Sequence, residues 1–149
     1  MWNKEMSVLL SKGLIILTLI MAVSSVGWFS QCIAIIEEYY YRPFGHVGSC
    51  VMGFSIIALG CALLVFLFML LNNISKKKIF VPENVKNLRI ISWCCFAVAA
   101  LLAVWGILTF LEIIFLAAFI VGFIGLILRV VKNVFEEAVS IKEENDFTV

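Results

Sequence analysis

The residue types that carry catalysis are scarce in this chain. Among its 149 residues there is one histidine, His46, and there are five cysteines, Cys32, Cys50, Cys61, Cys94 and Cys95. A single imidazole cannot build a His-based metal cluster or a catalytic His pair. Adjacent Cys94 and Cys95 leave a helix on different sides and make no clamp. An odd count without a CxxC motif points to free, packing thiols, with a Cys32–Cys50 disulfide left as the alternative. The paired Asp, Ser/His set or metal cluster that an intramembrane protease or lipid-modifying enzyme needs is missing. Neither an enzyme nor a cofactor is expected.

Binding chemistry is better represented, because the charges cluster. Ten of the eleven Lys and Arg residues fall in three stretches: Lys4 and Lys12; Lys76, Lys77, Lys78, Lys86 and Arg89; then Arg129, Lys132 and Lys142. Only Arg42 lies elsewhere. The lysine triplet suits anionic headgroups, at about 1 kcal/mol per cation near a membrane surface, or serves solely to set topology. Basic residues interleaved with apolar ones make a poor phosphate track, so direct nucleic-acid binding is not expected. Near the C-terminus stand Glu136, Glu137, Glu143, Glu144 and Asp146, five carboxylates that would face the basic residues of the middle segment. Together with Phe147, Thr148 and Val149 they suit an extended tail docking on a partner or on that segment. A tail that only solubilises is the other reading.

Four long apolar runs must position these groups: roughly 13–36, 47–71, 90–110 and 113–131. Each matches the roughly 20 helical residues that cross a hydrocarbon core of about 30 Å. A hydrophobic fraction of 64% against 14% charged residues leaves no room for a separate soluble domain. The first run is too long for a signal peptide and meets bulky Tyr39, Tyr40 and Tyr41 instead of a cleavage site, so it reads as a retained helix. Residues 90–131 as one helix would measure about 63 Å, twice the hydrocarbon thickness. The chain must therefore turn back, and Thr109 to Glu112 is the expected turn, since a carboxylate is cheap at the interface and costly in the bilayer centre.

Four spans place the N-terminus, the middle segment and the C-terminus on one face, which the positive-inside rule makes cytoplasmic. The expectation is an all-α integral membrane four-helix bundle, one domain over residues 1–149, multi-pass in a bacterial plasma membrane. Outside lies the Glu37–His46 loop, with Tyr39–Tyr41 in an interfacial aromatic belt. Inside, Pro82 sits where a helix starts and Val85, Leu88 and Ile91 recur at helical spacing, so the third helix should begin before the membrane. Val131, Val134, Phe135, Ala138 and Ile141 continue the pattern beyond the fourth span as an amphipathic extension over 132–149. Small residues mark the packing faces: Cys95, Ala99, Ala103 and Gly106 on the third span, Ala118, Gly122 and Gly125 on the fourth, Gly53 and Gly60 on the second. A monomer and a homo-oligomer both fit them. The bundle interior is expected to contain no Asp, Glu, Lys, Arg or His, which disfavours an ion pump or proton-coupled transporter.

Two short motifs carry a resemblance. Phe80-x-x-Glu83-Asn84-Val85-x-x-Leu88-Arg89-x-Ile91 and the closing Lys142-Glu143-Glu144-Asn145-Asp146-Phe147-Thr148-Val149 resemble a family of small four-helix bacterial membrane proteins of unknown function. That family is common in Gram-positive bacteria and ends in a Lys-Glu-Glu-Asn-Asp-Leu-Thr-Ile-type string. Here Phe147 and Val149 replace Leu and Ile. Its members are often encoded beside a small helix-turn-helix regulator of the Cro/repressor type, which implies a regulatory pairing.

The leading expectation is therefore a membrane-bound regulatory protein that binds or sequesters a small soluble transcription regulator. Glu143, Glu144, Asp146 and Phe147 are the first candidates for contact with that partner, and Lys76, Lys77, Lys78 and Arg89 the second. The alternative is a transporter-associated or immunity-type protein acting through the bundle and the Tyr39–His46 loop.

Overall fold

The structure, a computed structural model, describes the backbone of residues 4–39 and 45–147 and the side chains of residues 6–36, 38–39 and 45–145. It consists of four helices, α1 (Lys4–Tyr39), α2 (Gly45–Ser75), α3 (Pro82–Thr109) and α4 (Glu112–Phe147). All four are long and apolar enough to cross a membrane. α1, α2 and α4 contain their expected spans and overrun them, and α3 starts eight residues before its expected span and ends one residue short of it. α4 has 36 residues, which at 1.5 Å per residue is about 54 Å. A hydrocarbon core of about 30 Å leaves four to five turns outside it, which matches the length of α4 beyond the expected span end at residue 131.

The helices run alternately up and down and pack as a row: α1 on α2, α2 on α3, α3 on α4. Among the described residues no Cα of α1 comes within 8 Å of α4. The expected bundle is thus open, with both outer helices presenting broad apolar faces where lipid would lie. α3 lies within the row and is the most enclosed helix, with Val85, Leu88, Ile91, Cys95 and Val98 buried along one stripe. Val85, Leu88 and Ile91 occupy the helical spacing read from the sequence.

Small residues set the α3–α4 register. The Cα of Gly125 faces Cys95, Gly122 faces Ala99, and Gly106 lies against the backbone of Phe115. On α2 Gly53 does comparable work, receiving the Phe29 ring of α1, whereas Gly60 has open space where a side chain would stand. The turn at Phe110–Leu111 falls where expected, with Phe110 left-handed (φ 56°) and Glu112 in the first turn of α4, near the positive end of its dipole.

The α2–α3 connection is a built loop. Lys78 N–H bonds to Asn73 O and Lys77 N–H to Ile74 O, both at 3.0 Å. This is the Schellman pairing that closes a helix C-terminus, and it needs a left-handed residue at the position Lys77 occupies with φ 60°. A lysine there bears a left-handed cost of roughly 1–2 kcal/mol that glycine escapes. Lys77→Gly is expected to stabilise the protein by about 1 kcal/mol in equilibrium unfolding in mixed micelles; a loss of stability there would contradict the assigned turn.

The final residues correct one expectation. Lys142 to Phe147 continue α4 and do not form an extended tail. Lys and Glu are strong helix formers and no Gly or Pro interrupts them, so the helix has no reason to stop. The packed face of this extension is also rotated from the expected one. Val139 is buried and Phe135 half-buried, whereas Val134 and Ile141 face away from α3.

Candidate docking face

The end of the molecule carrying the α2–α3 loop and the C-terminal turns of α4 holds most of its described polar chemistry. Asn84 anchors it from the first turns of α3 and is fully buried. Its Oδ1 accepts from Asn73 Nδ2 of α2 at 2.8 Å, and its Nδ2 donates to Lys78 O at 2.8 Å and Ile79 O at 2.7 Å. One amide thus ties α2, the loop and α3 together. Phe80, at the end of the loop, stacks obliquely on Phe135 of α4 with centroids 5.8 Å apart. Lys12 of α1 reaches Asn72 Oδ1 at 3.2 Å and lies over the Phe68 ring. Four helices are thereby fastened at one level.

Between α3 and α4 the ties are ionic and hydroxylic. Arg89 donates to Glu136 at 3.2 Å, and Lys132 donates to the other oxygen of the same carboxylate. The Lys132 hydrogen bond first, then the Lys132 and Arg89 charges, hold the Glu136 carboxyl below the usual carboxylate range. The tie is therefore present above that range and is lost as pH falls through the lowered pKa. Ser92, buried, donates to Gly125 O at 2.9 Å, and the Arg129 guanidinium lies 5.4 Å over the Trp93 ring. Among the described residues the buried polar side chains are Ser49, Asn84, Asn87 and Ser92, none of them charged.

Beyond the span boundary, the start of α3 and the extension of α4 leave a groove of about 620 Å³ between them. Val85, Ile90 and Val139 make its apolar lining, and Lys86, Arg89, Glu136 and Glu143 bring both signs of charge to it. Two of the expected contact residues, Arg89 and Glu143, thus share one surface. Glu144 is exposed on the same extension. Lys76, Lys77 and Lys78 are exposed at the α2–α3 turn, do not line the groove and make no ion pair with a described carboxylate. The expected pairing of the acidic C-terminal segment with the basic middle segment reduces, among described residues, to Arg89 with Glu136. Asp146 and Phe147 belong to α4 by backbone, but their side chains lie outside the described residues, as do Tyr40–Phe44 of the outer loop and the last two residues. At the opposite end, His46 Nε2 lies 3.3 Å from Ser30 Oγ and 3.6 Å from Cys50 Sγ, and Cys32 and Cys50 are free thiols.

Asn84 and the Ser92–Gly125 bond went unrecognised in the sequence, where an asparagine after a helix-starting proline reads as ordinary and a serine in a span reads as filler. The signal was present in the first motif: Phe80, Asn84 and Arg89 make contacts that hold α2, α3 and α4 together at this end, and Val85, Leu88 and Ile91 form the buried stripe beside them. Residues 30–149 match the family model described as protein of unknown function (DUF2975). The chain belongs to that family. The matched DUF2975 segment takes in α2, α3 and α4 and leaves out most of α1, the helix at the edge of the row. No curated protein and no solved structure matches the chain.

Proposed function

We propose that this multi-pass membrane protein is a docking and regulatory protein of a bacterial plasma membrane, acting by binding and not by catalysis. It holds a small soluble transcription regulator on its cytoplasmic face. The observation that carries this reading is the groove between Val85–Ile90 of α3 and Glu136–Glu143 of α4, which opens beyond the spans, where a soluble partner can reach it. An apolar lining about two helical turns long with cations on one side and carboxylates on the other suits an amphipathic helix laid in a groove. The excess of Lys and Arg on this face supports its cytoplasmic placement. The family resemblance, with its neighbouring helix-turn-helix regulators, supports the class of partner. Sequestration then needs two bundle states that differ in affinity for the regulator.

The test is capture of a small helix-turn-helix regulator of the Cro/repressor type, purified, by the full-length chain in detergent and by two variants. One ends at Ile141, removing Glu143 and the last turns of α4; the other, Glu143→Lys, keeps the helix and reverses one charge in the groove. Capture by the full chain, lost with the truncation and weakened roughly tenfold or more by the reversal, is expected. Equal capture by all three chains, or none by any, overturns the reading.

A further inference from the structure

Above the docking groove, at the level where α3 and α4 enter the membrane, a second opening between them is lined by Arg89, Ser92, Trp93, Arg129, Lys132 and Asn133. Its volume is about 310 Å³, room for roughly ten water molecules. Three of the six residues are cations. Among the described residues the only carboxylate bonded to them is Glu136, shared by Arg89 and Lys132, so one negative charge stands against three positive ones. These cations are also positioned. Arg129 is held over the Trp93 ring, the Lys132 side chain is mostly buried with its ammonium on Glu136 one turn along α4, and Ser92 is locked to Gly125 O. An exposed Trp beside Arg is the usual furniture of the headgroup layer. Asn133 adds an exposed amide.

We infer that this cleft is a phosphate-binding site, and that the phosphate it takes is the headgroup of an anionic phospholipid. The alternation of Arg, Trp and Lys at the cytoplasmic ends of two adjacent spans gives bidentate donors for phosphate oxygens and an aromatic wall for the glycerol end. The acyl chains run down the exposed faces of α3 and α4, past Trp93 and Leu126. The inference is independent of the regulator reading. Both share Arg89, and Lys132 touches the groove through Glu136, but Arg129 and Trp93 lie outside the docking groove, so a substitution at either tests the lipid site alone.

The experiment is native mass spectrometry of the full-length chain in detergent, titrated with phosphatidylglycerol, phosphatidylcholine or inorganic phosphate. Phosphatidylglycerol is expected to bind in preference to phosphatidylcholine, and millimolar inorganic phosphate not to displace it. Arg129→Gln with Lys132→Gln is expected to weaken phosphatidylglycerol about thirtyfold, from about 1 kcal/mol per cation. Glu136→Gln, which frees two cations, is expected to strengthen it, a change of sign that general destabilisation does not produce. The triple change Lys76→Gln, Lys77→Gln, Lys78→Gln removes more charge from the same face and is expected to leave binding near wild type. Equal binding of the two lipids, or an equal loss with the triple variant, overturns the site. Displacement by inorganic phosphate overturns the lipid as its source.

Discussion

Replacing Asn84 with aspartate is expected to cost the protein about 3 kcal/mol of stability, the largest loss from any single near-isosteric change outside the spans. The side chain is fully buried and uses one acceptor and both its donors. Aspartate keeps the acceptor for Asn73 Nδ2 and sets a second oxygen against Lys78 O and Ile79 O, where two donors stood. Each buried carbonyl left without a partner costs about 1–3 kcal/mol. Protonation restores one donor of the two, so the deficit should shrink as pH is lowered, because burial against carbonyls raises the pKa of the introduced carboxyl. Asn73→Ala removes a single bond and is expected to cost about 1 kcal/mol. Equilibrium unfolding in mixed micelles, followed by the helical signal, measures all three chains across pH. If the aspartate variant matches wild type, or its deficit deepens on acidification, the amide does not pin the loop.

What this amide joins explains why some of the architecture was legible in the sequence and some was not. The spans follow from apolar length, since nothing else satisfies a backbone in hydrocarbon. The return at Phe110–Leu111 follows from Glu112, the one carboxylate in a 42-residue apolar stretch. The buried stripe of α3 follows from 3.6-residue periodicity. Periodicity fails where contacts are between elements. The rotation of the α4 extension toward Phe135 and Val139 depends on where Phe80 and Val85 stand, which no local pattern states. Arg89 is forty residues before Arg129, which stands one turn from Lys132, and all three read as topology signals; only the antiparallel register of α3 and α4 makes them a cluster. The helical continuation to Phe147 was legible from Lys142, Glu143 and Glu144, but the acidic composition outweighed propensity in the expectation of an extended tail.

That register rests on a close approach, and its removal gives the second large effect. Gly106→Ala in an isolated helix would gain about 1 kcal/mol from propensity. Here a Cβ would stand 2.9 Å from the backbone N of Phe115, and a backbone atom four residues from a two-residue turn has little room to retreat. Overpacking of this kind costs about 1–3 kcal/mol, more when main chain must move, so a net loss of about 2 kcal/mol is expected. The turn with Phe110 in the left-handed region holds the two helix ends together, so the strain passes along the hairpin toward Gly122 and Gly125, where Ala99 and Cys95 already touch. Gly60→Ala is the control, because nothing lies within 4 Å of a Cβ there; it should be neutral or gain up to about 1 kcal/mol. Opposite signs for the two substitutions in the same unfolding measurement would place the hairpin's tightest contact at Gly106. A gain for both would mean that α3 and α4 stand further apart in the membrane, and with them the cations of the headgroup cleft.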